Sequence, residues 1–257
     1  MTELTRINVG VRAFAALREA LGFAETSVSV APGTDIAGLM ARLDELYPRA
    51  DLAARRYGVA LNRSYAPLTA VLADGDEVAL IPPVSGGAVG GGAVGGGAVS
   101  GGAASGGAAK LFEISDRPVS LDDVMRRVVA PDRGGVTVFA GTVRGVTRRA
   151  GEDVIATDHL EYEAYPEMAE EALARIAAEV RARWPSVSGV SIVHRVGRLA
   201  VGDVAVVIAV AASSRQDTFD ACHYAIDRVK QIAPIWKKEV GPDGSFWVEG
   251  PESSVVE

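Results

Sequence analysis

Residues 77–100, EVALIPPVSGGAVGGGAVGGGAVS, decide how the chain is divided. EVALI follows the turn-forming ADGD (73–76) and reads as a short strand closing a folded unit. From Gly86 onward side-chain bulk disappears: 12 of the 24 residues between 86 and 109 are Gly, and the rest are Ala, Val and Ser. Such a tract holds no fixed path. The composition therefore predicts a domain over 1–87, a flexible linker over 88–110 and a second domain over 111–257. Treated as a coil, the linker has an r.m.s. reach of about 25 Å and a stretched limit of about 75 Å. Gly86-Gly87 carries two readings: the first linker glycines, or the end of a domain whose last glycine becomes a free carboxylate. Lacking Cβ, a Gly-Gly tail can thread a channel too narrow for other residues.

Composition narrows the function classes. The formal charge of -7 and pI near 5.1 disfavour a general nucleic-acid binder, which needs a basic footprint to displace counterions. Any anion site is then local. A single cysteine, Cys222, leaves no internal disulfide, and the start MTELTRINVG lacks the apolar run of a secretory signal. With no uninterrupted apolar run of about 18 residues, no membrane span is expected, and a reducing cytoplasm is the simplest location.

In the first domain Ile7, Val9 and Val11 alternate as on a half-buried strand, and TSVSV (26–30) does the same. Phe14, Leu17 and Leu21 between them fall at helical spacing. Ile36, Leu39, Met40, Leu43 and Leu46 form a second helical stripe behind Thr34 or Asp35 as N-cap. With GVALN (58–62) and EVALIPPV (77–84) as further strands, a mixed sheet carrying two helices results.

In the second domain GGVTVFAGTVRG (134–145) predicts a strand ending in a Gly-flanked turn, with Arg144 at its exit. Pro166 opens a helix whose residues Leu173, Ile176, Val180 and Trp184 share a face. SIVHRVGRL (191–199) and VAVVIAVAA (204–212) read as buried strands. After Ser213, Ser214 and Arg215 comes a helix with Phe219, Cys222, Ile226 and Val229 expected inward, closing at Lys230 before Pro234.

The lysines carry the sharpest chemical signal. Of 26 basic residues only four are lysine, and Lys230, Lys237 and Lys238 lie within nine positions. Arginine is permanently protonated, whereas a partly buried lysine can serve as acid, base or nucleophile. The competing reading is a solvated basic face beside a helix C-terminus, where cations are favoured. Pro234 and Trp236 suggest a fixed turn between the lysines.

Two resemblances cover most of the chain. LADGDEVALIPPVSGG, closing a strand-rich domain of this size, resembles the small subunit of molybdopterin synthase, a ubiquitin-like β-grasp sulfur carrier. FAGTVR, EYEAYPEM, HRVGRLAVGD, SSRQDTF, YAIDRVKQIAPIWKKE and GSFWVEG, in that order, resemble its large, catalytic subunit. Together they imply an α+β chain fusing a β-grasp domain to a domain of the α/β-hammerhead type. The implied activity is sulfur transfer in molybdenum cofactor biosynthesis: cyclic pyranopterin monophosphate (precursor Z) becomes molybdopterin, with two dithiolene sulfurs supplied by a thiocarboxylate on the Gly-Gly tail. No further cofactor is implied.

Carried over residue by residue, the resemblance places Lys230 and Lys237 in catalysis, Arg144 and Arg215 on the anionic substrate, and Phe139 and Trp236 on the pocket wall. As apolar residues the last two also fit a core. It implies an E1-like enzyme that adenylates and sulfurates the tail, a processing protease cutting after Gly87, and a homodimer through the C-terminal domain. Two departures stand out: Ser214 where histidine is expected before Arg215, and Pro251 where relatives often place arginine. The alternative is a carrier or scaffold whose second domain only docks β-grasp proteins.

The remaining candidates read as structural. Cys222 sits on an apolar helical stripe, which suits a buried thiol better than a persulfide donor. His159, His194 and His223 lack zinc-ligand spacing, so no metal is expected. Arg148 and Arg149 fall in a loop.

Overall fold

The computed structural model describes residues 6–84, 110–147 and 155–248. Gly86, Gly87, the linker from 88 to 109, Arg148, Arg149 and Pro251 lie outside them. The described residues form two compact units.

The first unit contains β1 (Ile7–Ala13), α1 (Ala15–Leu21), β2 (Glu25–Val30), α2 (Ile36–Leu46), β3 (Gly58–Leu61), β4 (Ser64–Tyr65) and β5 (Glu77–Ile81). The sheet order is β2-β1-β5-β3-β4, with β1 and β5 parallel at its centre and the other pairings antiparallel. This is the β-grasp arrangement. Val9, Val11, Val28, Val30, Val78 and Leu80 form one core with Ile36, Leu39, Met40 and Leu43 of α2. Asp35, not Thr34, caps α2: its carboxylate accepts from the Gly38 N–H at 2.8 Å, satisfying a donor that the first helical turn leaves open. Leu46, at the end of the stripe, is 45% exposed. The ADGD turn is held by Gly75 at φ +83°, a left-handed backbone that suits glycine.

The second unit comprises β6 (Phe112–Ser115), α3 (Leu121–Arg126), β7 (Gly135–Thr142), β8 (Val146–Thr147), β9 (Ile155–Ala156), β10 (His159–Ala164), α4 (Pro166–Arg183), β11 (Val187–Arg195), β12 (Gly197–Ala200), β13 (Val204–Ala212), α5 (Thr218–Ile232), β14 (Ile235–Gly241) and β15 (Gly244–Val248). One sheet has the order β6-β11-β13-β7, a second β12-β10-β14-β15. β13 is apolar without alternation because both its faces are covered. Val206, Ile208, Val210 and Ala212 pack in the core shared with α4 and α5, while Val207, Ala209 and Ala211 pack with Val124 of α3 and Val128.

Two sequence expectations are corrected here. Phe219 is 63% exposed. The buried stripe of α5 runs through Thr218, Ala221, Cys222, Ala225, Ile226 and Val229, and Phe219 falls one residue beside it. The segment after Pro234 is a strand, β14, instead of a fixed turn; α5 itself runs two residues past Lys230. Cys222 is buried, and burial pushes its thiol up to about 11, which leaves it protonated and unreactive. No helix among the described residues is long and apolar enough to cross a membrane.

Candidate active site

A cavity of about 460 Å³ opens in the second unit where the ends of β7 and β13, the last turn of α5 and one face of the second sheet converge. The local sequence explains how two lysines reach it. Pro234 has no N–H to extend α5, Ala233 is extended at φ −77°, ψ 125°, and Ile235 donates to the Ala233 carbonyl at 2.7 Å. The chain thus passes from helix to strand in two residues. Lys230 at the end of α5 and Lys237 near the start of β14 both line the cavity.

Period two along β14 then sorts neighbours onto opposite faces. Ile235, Lys237 and Glu239 contribute to the cavity wall. Trp236 and Lys238 do not: Trp236 is 2% exposed, and the Lys238 ammonium lies over the Trp247 ring at 5.7 Å. Of the three clustered lysines, two share the site and the third is spent on an aromatic face.

Arg144 stands at the rim, just beyond β7. Its position is fixed by the Val143 N–H, which donates to the Asp203 carbonyl at 2.9 Å, and by the Gly202 N–H, which donates to the Val143 carbonyl at 2.9 Å. Phe139, 37% exposed, forms part of the wall. Gly141 brings β7 close enough to β13 that a Cβ there would meet Val206 Cγ1 at 2.7 Å. Arg215 is elsewhere. β7 and β13 pair antiparallel, Thr142 opposite Val204 and Gly135 opposite Ala212, so Arg215, beyond the end of β13, lies at the far end of the pair from Arg144. Seven residues of strand separate those ends by about 24 Å.

Three polar residues complete the cavity beyond those singled out in the sequence. Glu239 is 4% exposed, and its Oε1 accepts from the Lys237 ammonium at 3.0 Å. Tyr162, facing Lys237 across the β10–β14 ladder, has its phenol pushed up to about 12, first by burial and then by the negative charge of Glu239. His194 lies edge-on to Tyr162 at 4.9 Å between ring centroids. Its Nδ1 meets the Arg195 carbonyl at 2.8 Å, which can only accept, so Nδ1 carries the proton. Burial holds the His194 pKa down to about 4, and the ring is neutral at pH 7. Glu239 was legible in IWKKEV by strand alternation with Lys237; Tyr162 and His194 reach the site only through long-range pairing. Among the described residues no cluster of His, Cys, Asp and Glu could hold a metal.

The family model described as MoaE protein matches residues 114–232. The molybdopterin synthase catalytic subunit of Halalkalibacterium halodurans is 47% identical over 140 residues, spanning 54% of this chain and 86% of that protein. The chain belongs to the molybdopterin synthase catalytic subunit family. The Bacillus subtilis molybdopterin synthase catalytic subunit is 43% identical over 137 residues, covering 53% of this chain and 83% of its own length. A solved molybdopterin synthase from Staphylococcus aureus aligns at 45% identity and TM-score 0.50, covering 54% of this chain and 97% of that one. The ThiS family model matches residues 11–87. The chain therefore joins a ThiS-type β-grasp domain to a molybdopterin synthase catalytic domain. It is a sulfur-transferring enzyme of molybdenum cofactor biosynthesis, which sets aside the reading of its second domain as a docking scaffold.

Proposed function

We propose that this molybdopterin synthase converts cyclic pyranopterin monophosphate into molybdopterin, with sulfur carried as a thiocarboxylate on Gly87, and that the fused chain is a precursor cut after Gly87. The observation that carries this reading is the convergence of Lys230 and Lys237 on one cavity with Arg144 at its rim. Arg144 offers a forked cation to the substrate phosphate. On the same cavity Lys230 is exposed and Lys237 half-buried, and there an ammonium can deliver a proton to a departing oxygen and an amine can accept one.

The chemistry balances with the tail as sulfur donor. The thiocarboxylate sulfur attacks an oxygen-bearing carbon of the substrate side chain and a carbon–sulfur bond forms as a carbon–oxygen bond breaks; in one round the displaced oxygen leaves as water, and in the other it stays on the phosphate as the cyclic ester opens to a monoester. A second water then cleaves the acyl–sulfur bond, leaving a substrate thiolate and a Gly87 carboxylate. Two such rounds give the dithiolene. In the uncut chain Gly87 is an internal amide with no carboxylate to charge, so a protease acting after Gly87 and an E1-like activating enzyme are the partners this reading requires. The 24-residue stretch that begins at Gly86 consists of Gly, Ala, Val and Ser, the small-residue composition that proteolysis favours.

The position of Arg215 supports a homodimer. Far from the cavity of its own chain, it serves the substrate only if a second copy presents it, through an interface between catalytic domains.

The test is reconstitution. A released fragment of residues 1–87, charged to the thiocarboxylate, should yield molybdopterin with the second domain and precursor Z. A fusion made uncleavable at 87/88 and treated with the same activating enzyme should yield none. Thiocarboxylate-dependent product from the uncleavable chain would falsify the precursor reading.

A further inference from the structure

The charged groups of the cavity serve a phosphate and proton transfer, which leaves two uncharged polar side chains on its wall without assigned work. Tyr162 and His194 meet edge to face there, with ring centroids 4.9 Å apart. His194 Nδ1 donates to the Arg195 carbonyl at 2.8 Å, so Nε2, an acceptor, is the unused polar atom of the ring. Among the described residues neither that nitrogen nor the Tyr162 hydroxyl has a hydrogen-bond partner. Both rings are held from the sides. Tyr162 packs against the cluster of Val143, Leu160, Leu199 and Ala205 and against the core that contains Ile235 and Val229. His194 is 6% exposed and faces Val206 across the β11–β13 ladder.

Neither group changes charge in the ordinary pH range. Burial, and after it the Glu239 charge, pushes the phenol up to about 12, while burial holds the imidazole down to about 4. The wall thus presents a neutral donor and a neutral acceptor on neighbouring rings, and polar groups out of water rarely stay unpaired. An anion would meet a repelling lone pair at Nε2, and the cations it needs stand elsewhere, at Arg144 and the lysines. An uncharged edge with one acceptor and one donor fits the pair.

We propose that Tyr162 and His194 recognise the lactam edge of the pterin ring, the hydroxyl donating to the ring carbonyl and Nε2 accepting from the adjacent ring N–H. This rests on the pyranopterin monophosphate reading above. A lactam carries its carbonyl and its N–H on neighbouring atoms, so the two protein groups satisfy both at once. Specificity follows from the fixed tautomer of His194. A 4-amino ring in the same pose would turn a nitrogen lone pair toward Nε2, and a site built around a hydrogen bond rejects a ligand that cannot supply it.

The test is calorimetric titration of the full chain with cyclic pyranopterin monophosphate, without a sulfur donor, comparing wild type with Tyr162→Phe and His194→Asn. Tyr162→Phe removes only the hydroxyl; His194→Asn keeps an amide N–H for the Arg195 carbonyl and removes the Nε2 acceptor. Each variant should bind about 5- to 100-fold more weakly. Competition against the bound substrate by 6-methyltetrahydropterin and by its 2,4-diamino counterpart then reports which edge is read. Wild type should favour the 4-oxo ring by about tenfold or more, and His194→Asn should lose that preference. Equal competition in wild type, no competition by either ring, or a preference that survives in His194→Asn overturns the inference. A wild-type chain that binds no pyranopterin monophosphate overturns the substrate reading and this inference with it, whereas substrate binding unchanged in either variant overturns the inference alone. If a variant loses its thermal transition, nitrogen NMR of the wild-type chain with ring-labelled histidine decides: saturating substrate should move the Nε2 resonance of His194 while Nδ1 keeps its proton, and an unmoved Nε2 resonance counts against the pair.

Discussion

The two faces of β14 carry nearly the same side chains to opposite ends. On one, Lys237 pairs with buried Glu239 at the wall of a cavity; on the other, Lys238 rests over the Trp247 ring and Trp236 is packed in the interior. Adjacent lysines on one strand thus sit in different chemical worlds. The difference shows that the scarcity of lysine in this chain marks a region, and that strand geometry selects within it.

The largest effect that can break this comparison is on turnover. Lys237→Ala should lower molybdopterin formation by about 10³-fold, within the range for a lost general acid or base, and Lys238→Ala should stay within about twofold, as a partly exposed cation–π contact allows. Single-turnover assays with thiocarboxylated donor read both. Equal losses would erase the distinction between the faces.

The dryness of the cavity side is tested through His194. Its folded pKa of about 4 lies below the ordinary 6.5. Above pH 6.5 both folded and unfolded chains hold it neutral and it contributes no pH dependence. Between pH 6.5 and 4 the unfolded chain binds a proton that the native ring refuses, so stability falls as pH drops, by roughly 3 kcal/mol across the window. Urea unfolding at pH 7.5 and pH 4.5 should show this loss in wild type and a correspondingly smaller one in His194→Gln. An unchanged acid loss would mean that the ring is wetter than its surroundings indicate.

A smaller effect extends the comparison from one strand to the whole sheet. If Arg215 works in the cavity of a second copy, Lys237→Ala and Arg215→Ala chains are each inactive alone but complementary when mixed. Random re-pairing makes half of the dimers mixed, each with one intact site of two, so about a quarter of wild-type activity should return. No recovery after co-refolding would remove Arg215 from the site.

Much of the fold was readable because its signals are local. The stripe Ile36, Leu39, Met40, Leu43 is buried as its spacing requires, Pro166 opens α4, and VAVVIAVAA is a doubly covered strand. The misread elements are those where a local cue met a tertiary choice. Pro234 and Trp236 resemble turn residues, yet Pro234 only ends α5 and Trp236 already lies on β14; its pairing with β10 is what makes it a strand. Phe219 is apolar and near the right spacing, but small Ala221 and Ala225 occupy the buried stripe instead. The site followed the same rule. Lys230, Lys237, Arg144 and Phe139 meet at the cavity, whereas Arg215 and Trp236 do not line it. Arg144 and Arg215 both follow strand ends, and only the antiparallel pairing of β7 with β13 sends those ends apart. Tyr162 and His194 needed the register of β10 and β11, which no short stretch encodes.

Enclosure of β13 by β11 and β7 at its edges and by helices on its faces also fixes how the cavity can behave over time. Ala205 and Val206 of that strand are cavity wall, so this side can open only by exposing the domain's central core, a fluctuation as rare as unfolding itself. Substrate meets a wall already set, and any adjustment on binding falls to the α5–β14 corner and the rim at Arg144.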